Sequence, residues 1–166
     1  VSLVPPAVSE AAAASALVAA RNFQETFAAD NKPDDMALHL NEAYGPVQQA
    51  REIADPKIIT LLVDVDGMLA AFAQLRHGPA PECVRGDAPI ELLRFYLARE
   101  WHGQGIAQQL MQYINEEARR AERRTLWLGV WERNERAKAF YRKCNFVDVG
   151  SHVFTVGNDP KTARIL

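Results

Sequence analysis

Cysteine is scarce in this sequence: Cys83 and Cys144 are the two it holds in 166 residues, and they form neither a C-x-x-C pair nor a Cys/His cluster at zinc spacing. A disulfide scaffold and a zinc module are excluded, and two reduced thiols in a cytoplasmic protein are the expectation. Long apolar runs are missing too. Nothing approaches the roughly 20 residues that span a bilayer. The alanine-rich stretch 11–20 follows Ser9 and Glu10, where a secretory signal would carry basic residues, so it reads as a capped helix. No Asn-x-Ser/Thr acceptor occurs. Charge of one sign is also lacking: 19 Lys+Arg against 21 Asp+Glu leave a formal −2, which offers no bulk attraction to nucleic acid or to an anionic membrane. Any partner is chosen locally.

What is present is the composition of an ordinary globule, and a chain of this length buries about 68–70% of its unfolded surface. Residues 1–166 are expected to form one domain. Ser2–Val4, stopped by Pro5-Pro6, suits an edge strand. Ser9 opens a helix with Leu17, Val18, Phe23 and Phe27 at helical spacing. A second helix starts at Asp34-Asp35 and turns Met36, Leu40, Ala43 and Tyr44 inward, and residues 47–54 form a third. Asp66-Gly67 between the β-rich runs Ile58–Val65 and Met68–Arg76 is a strong hairpin signal. Residues 77–89, with three prolines and two glycines, read as a loop. A strand follows over 90–98, its Glu91 and Arg94 on opposite faces by simple alternation. Then come a helix from Ile106 to about Arg123 bearing Leu110, Tyr113 and Ile114 on one side, a strand over 125–131, and a helix over 134–143. Strand-like runs over 146–149 and 151–156 precede a tail. The order implies a mixed α/β sheet, parallel where a helix crosses over.

Two places carry chemistry. In His102-Gly103-Gln104-Gly105-Ile106-Ala107 the glycines let backbone approach a ligand where the first N–H groups of a helix are unpaired, an anion site best matched to a pyrophosphate. It is neither a P-loop nor a dinucleotide fingerprint. Glycines serving only a tight turn would look the same. In the run 134–146, Asn134 reads as an N-cap and Tyr141 lies two turns on, on the same face.

Together these segments resemble the GNAT superfamily of acetyl-CoA-dependent N-acetyltransferases. Residues 102–107 match its Arg/Gln-x-x-Gly-x-Gly/Ala hallmark except at the first position. Residues 134–146 match Asn-x-x-Ala-x-x-Phe-Tyr-x-x-x-Gly-Phe with Asn145 in place of Gly, and asparagine tolerates the left-handed conformation that ends helices. Phe23 to Phe27, Asn31-x-Pro33-x-x-Met36, Trp127 to Glu132 and Ser151-His152-x-Phe154-x-x-Gly157-x-Asp159 are similar to the bacterial branch of PaiA-type spermidine/spermine acetyltransferases, although the branch's ending is blurred at Lys161-Thr162-Ala163. The resemblance implies an α/β single-domain GNAT fold, a central mixed, mostly antiparallel sheet with helices on both faces.

It further implies acetyl-CoA as co-substrate, with no metal. Backbone of Phe95, Tyr96 and Leu97 would pair with the pantetheine arm, and amides of Gly103, Gln104, Gly105, Ile106, Ala107 and Gln108 would hold the pyrophosphate. Asn134 would contact the cofactor and Tyr141 would protonate the leaving thiolate. The carboxylate some relatives use as base is replaced by Gly129. Glu91 is then the first candidate base, ahead of Glu132 and His77, with a water chain equally compatible. Phe27, His39 and Tyr44 are candidates to line an acceptor site, and the first helices and the 77–89 loop are left to choose the substrate. The acceptor implied is a small-molecule primary amine, a polyamine by kinship. Protein N-terminal or lysine acetylation, and a CoA-binding regulatory module without turnover, are the rivals. Neither nucleic acid nor membrane is an expected partner, and homodimers are common in the family.

Overall fold

The computed structural model describes residues 2–4, 14, 17–21, 24–25, 33–156 and 159–166. Its chain order is β1 (Ser2–Val4), α1 (Pro33–Tyr44), α2 (Pro46–Ala54), β2 (Ile58–Val65), β3 (Met68–Arg76), β4 (Pro89–Leu97), a 3-10 turn (Arg99–Trp101), α3 (Ile106–Arg120), β5 (Thr125–Trp127), β6 (Gly129–Trp131), α4 (Glu135–Lys143), β7 (Gly150–Val156) and β8 (Asp159–Ile165). Residues 17–21 are helical as well. Ser9, Pro5-Pro6, Phe23, Phe27 and Gly157 lie outside the described residues.

The β2/β3 hairpin forms as its turn demands. Asp66 and Gly67 both take positive φ, 54° and 82°, the pair of left-handed residues that matches the twist of the flanking strands. Register runs from Ile58 opposite Arg76 to Val65 opposite Met68. β1 adds to the free edge of β2, and β4 pairs antiparallel with β3. β5 then joins β4 in parallel, which requires the crossover that α3 supplies.

The run 125–131 is two strands, not one. Leu128 exchanges both backbone hydrogen bonds with Leu166, at 3.0 Å each, so the chain leaves the first sheet there and continues as β6 in a second. The first sheet has the order β1-β2-β3-β4-β5 and the second β6-β8-β7. The expected tail is therefore β8, the middle strand of the second sheet. Residues 146–149 are irregular, because the extended pairing begins at Gly150.

Helices cover both faces of the first sheet. On one, Val63, Ala73, Leu75, Ile90 and Leu92 pack against Ile106, Leu110 and Ile114 of α3. Full burial of side chains such as Leu110 and Ile114 stabilises by roughly 1.5–3 kcal/mol each. On the other, Leu62 and Phe72 meet Met36 and Tyr44 of α1, Ala19, Trp131 and Val156. Leu17 is 70% exposed, so the inward face of the first helical segment runs through Ala19 instead. α3 stops at Arg120, short of Arg123, because Glu122 turns left-handed at φ 57°. The Arg123 and Glu122 amides then bond back to Ala118 and Arg119 carbonyls.

Candidate active site

One extra residue in β4 shapes the site. Gln74 lies opposite Arg94 and Leu75 opposite Leu92, which leaves Leu93 unpaired in a bulge. The slip moves every later side chain to the other face. Glu91 and Arg94 consequently share the α1/α2 face, where alternation had put them on opposite faces, and Phe95 turns toward α4.

β4 also loses its neighbour. Its parallel pairing with β5 ends at Glu91 opposite Trp127, while β6 is claimed by β8. From Leu92 to Leu97 one edge of β4 bonds β3, and on the other edge the two sheets part. A cavity of about 1090 Å³ opens in this splay, and Phe95, Tyr96, Leu97, Gly103, Gly105, Ile106, Ala107, Gln108, Asn134, Tyr141 and Glu91 all line it. The structure thus gathers eleven of the twelve residues assigned to the cofactor, the acid and the first-choice base; Gln104 instead turns its side-chain amide back to the Glu100 carbonyl at 2.9 Å.

At the glycine-rich end, Gly103 and Gly105 have φ of 77° and 80°. A Cβ on either would meet no protein atom within 4 Å, so open space lies on their exposed sides. Gly105 is the N-cap of α3 without a side-chain cap. The first amide to find an intrahelical carbonyl in this turn is that of Gln109, bonded to Gly105. The amides before it are suited to an anion. The His102 Nε2 is 3.2 Å from the Leu97 carbonyl oxygen and 3.2 Å from the Arg136 guanidinium. Arg133 and Arg136 also line the cavity, cations without a role in the sequence pattern although Arg136 sits in the run 134–146 and Arg133 directly before it.

Asn134 is the cap it was read to be: its Oδ1 accepts from the Ala137 amide at 3.1 Å. Asn145 closes the same helix at φ 67°, with the Phe146 amide on the Tyr141 carbonyl and that of Asn145 on Arg142, both 3.0 Å. Tyr141 is buried among Phe95, Phe140 and Phe146. Burial pushes its phenol well above the ordinary tyrosine range, so it keeps its proton at neutral pH.

At the opposite end the wall is made of side chains. Arg94 donates to both carboxylate oxygens of Glu52, at 2.7 and 2.6 Å, and to the Ala43 carbonyl at 2.9 Å. Its guanidinium carbon stands 4.7 Å over the Tyr44 ring. Tyr96 donates to the Tyr44 hydroxyl at 2.8 Å, and burial raises both phenols. Tyr44 lines the cavity, as does Glu25; His39 packs edge-on against Tyr44 at 5.7 Å, behind the wall. Glu91 accepts at Oε2 from Arg76 Nε and Nη2, at 2.8 and 2.6 Å.

Several candidates fall elsewhere. His77 and Glu132 do not line this cavity, and neither do Cys83 and Cys144. The 77–89 loop is also absent from it: Val84, Arg85 and Gly86 border a second cleft with Asn145 and Phe146. The loop follows β3 and precedes β4, at the end of β4 away from the glycine turn, so it does not reach the splay.

The acetyltransferase (GNAT) family model matches residues 20–146, and the chain belongs to that family of N-acetyltransferases. It is similar to a Lactobacillus delbrueckii subsp. lactis protein described as an uncharacterized N-acetyltransferase in the pepI 3′ region, 33% identical over 149 residues, 90% of this chain and 86% of the relative. An uncharacterized N-acetyltransferase of Mycobacterium tuberculosis is 30% identical over 142 residues, 86% of each. The fold matches that of the PaiA N-acetyltransferase from Thermoplasma acidophilum in complex with coenzyme A, with a TM-score of 0.75 and 19% identity over 98% of this chain and 96% of that one.

Proposed function

We propose that residues 1–166 act as one acetyltransferase domain in the cytoplasm, moving an acetyl group from acetyl-CoA to a small primary amine by direct attack in a ternary complex. The observation that carries this reading is the splay. A β4 edge open from Leu92 to Leu97 leads into the unpaired amides of α3, with Tyr141 buried beside it. An extended, hydrogen-bonding pantetheine arm fits that edge as an added strand, and its pyrophosphate fits the cradle from Gly103 to Gln108. Acetyl-CoA supplies the thioester. Asn134 fixes the start of α4 and thereby the position of Tyr141, whose proton goes to the sulfur as the C–S bond breaks.

The acceptor is a weakly charged amine in preference to a polyamine. Cavity-lining Glu25, Glu91 and Glu135 are matched by Arg94, Arg133 and Arg136, and Glu91 and Glu135 are already paired with Arg76 and Lys138. A polycation would meet no excess of negative charge among the described residues.

CoA release with monoamines, polyamines, aminoglycosides, amino acids and short peptides tests this reading. The expected outcome is a higher kcat/KM for a monoamine than for spermidine. Selective turnover of peptides would replace the acceptor, and CoA binding with no turnover would favour a regulatory role. Tyr141→Phe is expected to lower kcat by about 10²–10³-fold with CoA affinity retained; unchanged turnover across pH would remove Tyr141 as the acid.

A further inference from the structure

Gly129 opens β6 at the point where the sheets part, and another residue fills the space its missing side chain leaves. A Cβ there would stand 3.1 Å from His152 Cε1, and 3.9 Å from Ala163 Cβ and Ile165 Cδ1. Register explains the arrangement. Gly129 lies opposite Ile165, and both Trp131 and His152 lie opposite Ala163, so Gly129, Trp131, His152 and Phe154 share one face. The His152 and Phe154 rings are 6.5 Å apart. His152 is exposed, and it lines the cavity that also holds Tyr141 and Glu91.

We infer that His152, seated over Gly129 at the splay, is the proton acceptor for the attacking amine, an assignment that rests on the acetyl transfer proposed for this site. The other groups are less suitably placed. Glu91 Oε2 is engaged by Arg76, His102 faces the Leu97 carbonyl at the glycine-rich end, and His77 and Glu132 are outside the cavity. As the amine nitrogen bonds to the acetyl carbon, its proton passes to an imidazole nitrogen. The C–S bond breaks, and the sulfur takes the Tyr141 proton. Solvent then removes the imidazolium proton and restores that of the phenol, leaving amide and thiol as the net products.

The charged groups around this imidazole are few. On its own face of the second sheet they are Lys161 and Asp159 of β8, paired with each other at 2.7 Å, while Arg164 of β8 lies on the other face in an ion pair with Asp148. Across the cavity stand Glu91 and Arg94, each in an ion pair, and the buried Tyr141. Glu25, Tyr44, Tyr96 and Arg133 also line it, with His102, Glu135 and Arg136 toward the glycine-rich end. A base that must be unprotonated to accept this proton gives an acidic limb in the rate profile.

The test measures kcat/KM against pH for wild type, His152→Gln, His152→Ala and Glu91→Gln, with CoA binding by calorimetry. In both His152 variants kcat/KM at neutral pH is expected to fall by about 10²-fold, the acidic limb to vanish, and CoA affinity to stay unchanged. Added imidazole should restore part of the His152→Ala rate. An acidic limb retained in His152→Gln, or one lost only in Glu91→Gln, would overturn the assignment while leaving acetyl transfer intact. A wild-type chain that binds CoA and acetylates no amine would overturn both.

Discussion

The two ends of the cavity are built on different principles. The end proposed for the cofactor is local and made of backbone: two left-handed glycines, a helix start and a bulged strand, all within residues 91–108. The end proposed for the acceptor is assembled from distant side chains, since Arg94 of β4 meets Glu52 of α2 and Tyr96 meets Tyr44 of α1. A backbone cradle binds the same anion whatever side chains surround it. A side-chain wall is free to change with the acceptor, and its integrity depends on every partner being present.

The strongest way to break that contrast is Glu52→Ala. Arg94 and Glu52 are both buried, and removing one partner strands the other charge, which costs about 3–5 kcal/mol. Urea unfolding should show that loss. The double variant Glu52→Leu with Arg94→Met should recover most of it, because the desolvation cost disappears along with the attraction. Recovery of stability without recovery of acceptor KM would show that the network serves to shape the wall. Equal loss in single and double variants would mean that packing, and not charge, holds α2 to β4.

The same wall gives a pH signature. Tyr44 and Tyr96, together with Tyr141, have phenols raised by burial, so the folded chain holds these protons more tightly than the unfolded one. Their burial has its full effect below the ordinary tyrosine value near 10. As pH rises past it, the unfolded chain ionises first and stability falls. Melting temperature should therefore be insensitive to these groups up to about pH 9 and decline beyond about pH 10, with a shallower decline in Tyr96→Phe.

This division also explains what could be read from sequence. The hairpin at Asp66-Gly67, the cap at Asn134, the left-handed Asn145 and the tight turn at Gly103 and Gly105 are set by residues within a few positions of one another, and each of these conformations appears as read. The bulge at Leu93 left no local mark, so Glu91 and Arg94 were read onto opposite faces. The break at Leu128 depends on Leu166, and the placing of His152 over Gly129 depends on β8 lying between β6 and β7. Glu52 was passed over because nothing beside it announces an arginine 42 residues away.

Gly105→Ala probes the backbone end. At φ 80° a side chain costs about 1–2 kcal/mol of stability, and Gly105 lines the cavity where a new Cβ meets no protein atom within 4 Å. CoA affinity should fall by about tenfold, about 1.4 kcal/mol, while the acceptor KM measured at saturating acetyl-CoA stays unchanged. A variant in which acceptor KM rises as much as CoA Kd would show that the two ends are coupled.

The mildest test compares two left-handed helix ends outside either wall. Glu122 and Asn145 both sit at positive φ, 57° and 67°, and both close the same pattern of backward hydrogen bonds. Asparagine accepts this conformation with little strain, whereas glutamate gains nothing from its side chain to offset the contact of Cβ with the backbone. Glu122→Gly should therefore stabilise by about 0.5–1 kcal/mol, and Asn145→Gly by less, read as denaturant midpoints at unchanged slope. Since neither residue lines the large cavity, turnover should be unaffected by Glu122→Gly. A change there would mean that the end of α3 is felt at its beginning, where the amides of the cradle lie.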